Sequence, residues 1–356
     1  MAEVTTHERM TRILNHQEAD RVPITDAPWA STIARWHREG MPDDITFGDY
    51  FGLDRQVSFS CDNSPRYPEE VLQETDEWTE HITKWGVRMR SWKHHGGVPE
   101  FLDFTIKDTQ SWREAKERMV PSRDRIPWAE LERNYGTWRQ QGAWITPYMW
   151  FGFDVIHAWA VGTERLLIAM LEQPEWVSDM LNHWLDVDLA LLDMVWDEGY
   201  HFDMIEWPDD MGYKQAQFFS PAMYRELVKP VHQRAAEWAH AKGVKVRLHS
   251  CGYVAPFIPD LIDAGIDVLN PLEVKAGMDP VALKRQYGDQ LCLHGGLNAV
   301  LFERPEELWE QMRQVIPAMK ENGGYWISSD HSVPESVSLE TFREFVRLGK
   351  ELGSYE

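Results

Sequence analysis

The stretch VRLHSCG, residues 246–252, closes an apolar run with His249 and Cys251 two positions apart and a glycine just after them. Side chains at i and i+2 of a strand leave the same face, so this imidazole and this thiol can reach one point in space. Imidazole with thiolate is a zinc pairing, but a catalytic zinc takes three protein ligands. The next cysteine along, Cys292 in QLCLHGG, shares strand parity with His294 and falls a layer deeper. The third donor therefore has to come from Glu206, Asp210, Glu273 or His331, each an acceptable oxygen or nitrogen ligand. Glu206 is taken as the metal ligand and Asp210 as the neighbouring catalytic carboxylate, with the exchange of the two as the alternative.

For these side chains to meet, the chain must carry them on neighbouring parallel strands. From about residue 200 short apolar runs alternate with helical segments. HFDMIEW reads as a strand, and FSPAMYRELVKPVHQRAAEWAHAKG as a helix with Ser220 as N-cap, Pro221 at N1 and Gly243 just past its end. VKVRLHS, IDVLNPLE, QLCLHGGL and YWISSDH follow as strands, separated by helices that stop at Gly265, at Gly288 and at about Lys320. A last helix starts at Ser338. Repeated β-then-α units give parallel strands with right-handed crossovers, and the continuous apolar runs suit strands covered on both faces. RVPITDAP, RQVSFSCD and AWITPYMWF have the same character and raise the count to eight, the number that closes a TIM barrel. The expected fold is α/β, a single (β/α)8 barrel domain over residues 1–356. A Thr5–Glu8 capping box opens an N-terminal helix, and a β-hairpin insertion over roughly residues 76–92 decorates the rim.

In such a barrel the site lies at the C-terminal ends of the strands. Those ends carry Asp26 with Trp29 just beyond, Asp62, Glu206 with Asp209 and Asp210, His249 and Cys251, Asn270 and Glu273, His294, and Asp330 with His331. Buried ionisable groups are costly unless paired or metal-bound, so this ring reads as a catalytic mouth. Plainer roles stand beside that reading. Asp209 or Asp210 can cap a segment, Asn270 can close a turn, and His294 beside Gly295 and Gly296 can bond a backbone carbonyl.

Composition narrows the function. Lys plus Arg against Asp plus Glu, 36 against 58, leaves a net charge of −22, which repels nucleic acid and anionic membranes. The start MAEVTTHERM has no apolar leader, and no run nears the roughly 18 apolar residues of a membrane span, so a cytoplasmic protein is expected. Three cysteines are too few for a disulfide framework. The 18 Trp and 15 Met point to a core filled with large side chains.

The passage from HSCGYVAPF to LCLHGGLN, with TRILNHQEADRVPI and YWISSDHSVP, resembles the uroporphyrinogen decarboxylase superfamily over nearly the whole chain. That resemblance implies a TIM barrel with its site at the C-terminal mouth, and either haem-pathway decarboxylation or corrinoid-linked methyl transfer. The decarboxylase motif PVWxMRQAGR carries two arginines that bind the acidic porphyrinogen. The corresponding PITDAPWAST, residues 23–32, has neither. Asp26 and Trp29 would form a less cationic substrate wall in their place, suited to a small, weakly charged substrate. The family histidine near the last strand matches His331, flanked by Asp330, and the family aspartate after the second strand has a loose counterpart in Asp62.

The methyltransferase branch holds zinc with His-x-Cys on the fifth strand and a further cysteine near the eighth. His249 and Cys251 match the first two, while ISSDHSVP offers only serines for the third. The resemblance thus implies a zinc methyltransferase or demethylase. His331, Asp210 and Asp62 would be catalytic, and Asp26, Trp29, Asn270, His294 and Asp330 would bind substrate. Its expected partners are a small methyl donor or acceptor, a corrinoid protein and a second copy in a homodimer. A decarboxylase is the enzymatic alternative, and a non-catalytic corrinoid- or tetrapyrrole-binding barrel is the other.

Overall fold

The computed structural model describes residues 4–94 and 99–355. The first three residues of the polar N-terminus, and so both ends of the expected 1–356 domain, lie outside the described residues. The strands are β1 (Gln56–Phe59), β2 (Glu70–Glu74), β3 (Trp78–Ile82), β4 (Val87–Trp92), β5 (Glu100–Phe104), β6 (Trp144–Pro147) and β7 (Met204–Pro208). They continue as β8 (Gly212–Tyr213), β9 (Ala216–Gln217), β10 (Lys245–His249), β11 (Val268–Asn270), β12 (Cys292–His294) and β13 (Tyr325–Trp326). β7, β10, β11, β12 and β13 form a parallel sheet in that order, and β1 pairs with β6 in a second parallel ladder. Helices connect the strands of the larger sheet, as the alternating sequence pattern requires.

Isolated parallel bridges extend these ladders. Tyr148 meets Glu206, linking the end of β6 to β7, and Ile24 meets Ile327, linking the expected first strand to the residue after β13. The ring is nevertheless not closed, contrary to the expected barrel. Between Ile24 and β1 the Asp54 carboxylate stands where a strand carbonyl would be. Its Oδ2 accepts the Ile24 N–H at 2.8 Å and an Arg21 N–H at 2.7 Å, while Oδ1 accepts from Arg9 at 2.5 Å. Pro23 and Pro28 lack ladder donors, which leaves RVPITDAP with bridges in place of a strand.

The expected rim hairpin is part of a larger element. β3 and β4 are antiparallel neighbours, but β2 and β5 flank them in a four-stranded antiparallel sheet. The long helix expected after Ser220 is also interrupted. Pro230 cannot donate to the turn before it, and Tyr224–Val228 widens into a π-helical turn ahead of Lys229–Ala241.

The N-terminal helix Thr6–Ile13 starts from the expected capping box, with the Glu8 N–H donating to Thr5 Oγ1 at 3.2 Å and the Thr5 N–H to Glu8 Oε2 at 2.9 Å. Met10 and Leu14 then pack with Trp144, Met204, Val268, Cys292 and Trp326. This apolar plug seals the N-terminal end of the strands and leaves the C-terminal ends as the place for a polar site. Cys292 belongs to the plug, in the deeper layer that strand parity gives it. No helix among the described residues is long and apolar enough to cross a membrane.

Candidate metal centre and its cavity

Strand register stacks the inward-facing polar residues in levels. Glu206 stands opposite Arg247, and two residues further on His249 stands opposite Asn270. Two residues of strand span about 6.6 Å, so the Glu206–Arg247 pair forms a floor beneath His249. Arg247 is ion-paired with Glu206, and its guanidinium lies 4.7 Å over the Trp326 ring. His294 stacks on the same indole at 4.0 Å and 10°. Burial, and then the charges of Arg247 and His249, push His294 well below the usual histidine range, so the ring is neutral.

Above the floor Asp210, His249 and Cys251 each bring one ligand atom, and all three atoms lie within 4.8 Å of one another. His249 Nε2 is 3.4 Å from Cys251 Sγ and 3.7 Å from Asp210 Oδ1. The Cys251 N–H donates to Asp210 Oδ1 at 2.7 Å. On its other side His249 Nδ1–H donates to Asn270 Oδ1 at 2.7 Å, and Asn270 Nδ2 faces the His294 carbonyl at 3.4 Å. That arrangement leaves the Nε2 lone pair facing the thiol and the carboxylate, the tautomer a metal needs.

The turn that presents Cys251 depends on two glycines. Gly252 has φ +79°, and a Cβ there would stand 2.3 Å from the Gly212 carbonyl carbon of the β8–β9 hairpin. The Gly252 N–H donates to Glu273 Oε2 at 2.6 Å, and Lys275 holds Oε1 at 2.9 Å. Glu273 therefore fixes the turn and is not part of the ligand group.

Burial, and then Asp210, Glu273 and Asp154, push the Cys251 thiol up, and burial raises the Asp210 carboxyl against the pull of His249. Carboxylates packed around a thiol disfavour a lone thiolate, whereas a divalent cation at their centre reverses the balance and draws the proton off. Sulfur, nitrogen and oxygen donors from three residues fit a catalytic zinc.

His249 and Asn270 form part of the wall of a cavity of about 650 Å3, within the range that takes small molecules. Tyr148, Glu206, Arg247 and His294 line its depth, with Asp26 and His331 at the rim. Both arginines on the wall are already paired, Arg247 with Glu206 and Arg55 with Asp49.

The other expected site residues fall as follows. Glu206 sits one level too deep and is engaged by Arg247, so the structure groups Asp210 with the His–Cys pair in its place. Asp26 accepts the Ser329 N–H at 3.0 Å and hydroxyl at 2.7 Å, and burial pushes its carboxyl up to about 6. His331 is exposed, edge-on to Trp29 at 6.4 Å. Asp330 is fully buried and off the cavity wall, its two oxygens accepting the Val274 and Ala299 N–H groups at 2.8 Å. Asp62 also lies off the wall. Burial raises its carboxyl, but Ser64, Arg66 and Lys84 together hold it well below the usual range. Asp209 takes the plainer role, accepting the Asp154 N–H at 2.8 Å in the first turn of the helix Phe153–Trp159 and pairing with His232 at 2.7 Å.

The sequence reading passed over Tyr148 and Arg247. Arg247 was within reach of the parity rule, being i−2 from His249 on the same strand. Tyr148 follows the run WITP with no motif around it.

No curated protein sequence matches the chain significantly. Among solved structures, a methyltransferase from Methanosarcina mazei superposes with a TM-score of 0.67, covering 98% of this chain and 99% of its own, at 16% identity, which is a likeness of fold. The family model described as uroporphyrinogen decarboxylase (URO-D) matches residues 156–352, more than half of the chain and the part that carries Glu206, Asp210, His249, Cys251 and Asn270. On that match, the chain belongs to the uroporphyrinogen decarboxylase family.

Proposed function

We propose that this enzyme is a zinc-dependent methyltransferase or demethylase that moves a methyl group between a small methylated substrate and a corrinoid carried by a partner protein. The observation that carries the reading is the Asp210–His249–Cys251 group, whose His249 lies in the cavity wall and has its tautomer set by Asn270. Those three residues would hold the zinc. Bound there, zinc supplies Lewis-acid polarisation of a substrate oxygen.

The chain's own residues do the rest. The neutral His294 ring and the Glu206–Arg247 pair give the substrate a polar floor without net charge. Asp26 and His331 orient it at the rim, and the Asp26 carboxyl, near 6, holds or releases a proton close to neutral pH. We take the architecture as a (β/α)8 barrel with one open seam at Asp54, the chain working as one domain in the cytoplasm. The fold likeness to a methyltransferase supports this reading. So does the cancelled charge of both wall arginines, since a porphyrinogen with its ring of carboxylates would find no unpaired cation there.

Metal analysis of protein purified without chelators tests the proposal. About one zinc per chain is expected, lost in Cys251→Ser. Zinc near zero in the unaltered protein sinks it. Conversion of uroporphyrinogen to coproporphyrinogen would favour the decarboxylase instead. Binding of a corrinoid protein unchanged in His249→Ala and Cys251→Ala, with no turnover, would favour a carrier.

A further inference from the structure

The Tyr148 backbone is fixed from both sides. Its N–H donates to the Phe59 carbonyl at 2.8 Å, and it bridges to Glu206 on the other side, so the residue is clamped between β1 and β7. The ring packs edge-on against Trp150 with centroids 5.3 Å apart, and it faces the cavity beside His249, Glu206 and Arg247. The hydroxyl has no hydrogen-bond partner among the described residues. Tyr148 is half-buried, so a phenol that bonds no protein group is left to bond whatever fills the cavity. Arg247 Nε and His294 Nε2 also lack a partner among the described residues, and both side chains line the same cavity, so Tyr148 is one of several polar groups there without a protein partner.

Burial raises the phenol, and Glu206, Asp154 and Asp210 push it the same way. The hydroxyl therefore keeps its proton and is a donor at neutral pH.

We propose that the Tyr148 hydroxyl donates a hydrogen bond to the oxygen of an O-methyl substrate, so that it selects ethers over carbon isosteres of the same shape. The inference rests on the reading above that the cavity takes a small methylated compound. Tyr148 is then a specificity-determining residue, its missing partner supplied by the ligand. A substrate with oxygen in the right place satisfies the phenol, and one with a methylene there leaves it unpaired.

The test uses anisole and ethylbenzene, which differ by oxygen for methylene, titrated against the full-length protein and Tyr148→Phe. The ratio of the two affinities should fall about 3- to 10-fold in favour of ethylbenzene on removing the hydroxyl. Thermal melting of Tyr148→Phe should be unchanged or raised, because the phenol loses no protein partner. An unchanged ratio overturns the assignment. So does a lowered melting temperature, which would mean that the hydroxyl is bonded inside the protein, and so does failure of the unaltered protein to bind either probe. Zinc content and methyl transfer by the unaltered protein are measured separately, so loss of the functional reading is told apart from loss of this one.

Discussion

Removing the acceptor behind His249 should weaken metal binding while leaving the fold intact. His249 Nδ1 has one partner, Asn270 Oδ1 at 2.7 Å, and that bond sets which ring nitrogen is free for a metal. In Asn270→Ala the imidazole can turn or take the other tautomer, and loss of such a supporting bond typically costs 10- to 100-fold in metal affinity, about 1.4–2.8 kcal/mol. Little else depends on the side chain. Its contact with the His294 carbonyl is long at 3.4 Å, and the ladder bond from the Ser250 N–H to the Asn270 carbonyl at 2.8 Å uses backbone only. Asn270→Asp keeps an acceptor in the same place and adds a negative charge that makes the imidazole more basic, so its zinc affinity should equal or exceed that of the unaltered protein. Competition with a chromophoric zinc chelator at fixed pH measures all three, with circular dichroism to confirm folding. Asn270→Ala binding zinc within twofold of the unaltered protein would refute the reasoning, as would an equal loss in Asn270→Asp.

Three further outcomes follow from the same geometry. Burial pushes the Asp26 carboxyl from an ordinary 3.8 up to about 6, so carboxyl NMR should find its midpoint there. Because its folded pKa is raised, its contribution favours folding most fully below pH 3.8 and is lost as pH rises through 6, and chemical denaturation across that window should show the decline. Gly252→Ala places a Cβ against Gly212 at positive φ and should cost at least about 2 kcal/mol together with the zinc site; an unchanged melt would contradict it. Arg247→Met strands Glu206 in the interior and should cost about 3–5 kcal/mol, whereas the double variant with Glu206→Leu should recover most of that in denaturant titrations.

What could be read from the sequence was whatever depends on short range. The helix starts at Thr5, Ser220 and Ser338 are set by a side chain bonding a nearby N–H, and each appears with that bond. Strand parity placed His249 with Cys251 and put Cys292 deeper, for the same local reason. Register between strands is not local. Nothing in HFDMIEWPDD says that Glu206 will face Arg247 while Asp210, beyond the strand, folds back to His249 after the Asp209 N–H bonds the His249 carbonyl at 2.7 Å. The open seam is likewise a long-range product, since Asp54 replaces a strand edge only because Arg9 and Arg21 arrive from the N-terminal segment to balance it. Asp62 is a mixed case, held by Ser64 and Arg66 two and four residues on and by Lys84 from between β3 and β4.

The one-level offset between Glu206 and Asp210 also separates two tasks that a single strand end could have confused. A carboxylate at the depth of Arg247 is neutralised, and its burial is tolerable only as part of that pair. A carboxylate one level higher, bonded to the Cys251 N–H and facing His249, is raised by burial. One divalent ion held between it and the thiol beside it would favour the ionised form of both. Where the resemblance led one to expect a third cysteine, Ser329 bonds Asp26 instead, and Asp210 is the third group beside His249 and Cys251. A carboxylate in place of a thiolate would make a bound ion a harder acid, better matched to an oxygen than to a thiol. The Tyr148 hydroxyl on the wall that His249 shares would suit an oxygen as well, so on the proposed function both features favour an ether or alcohol oxygen.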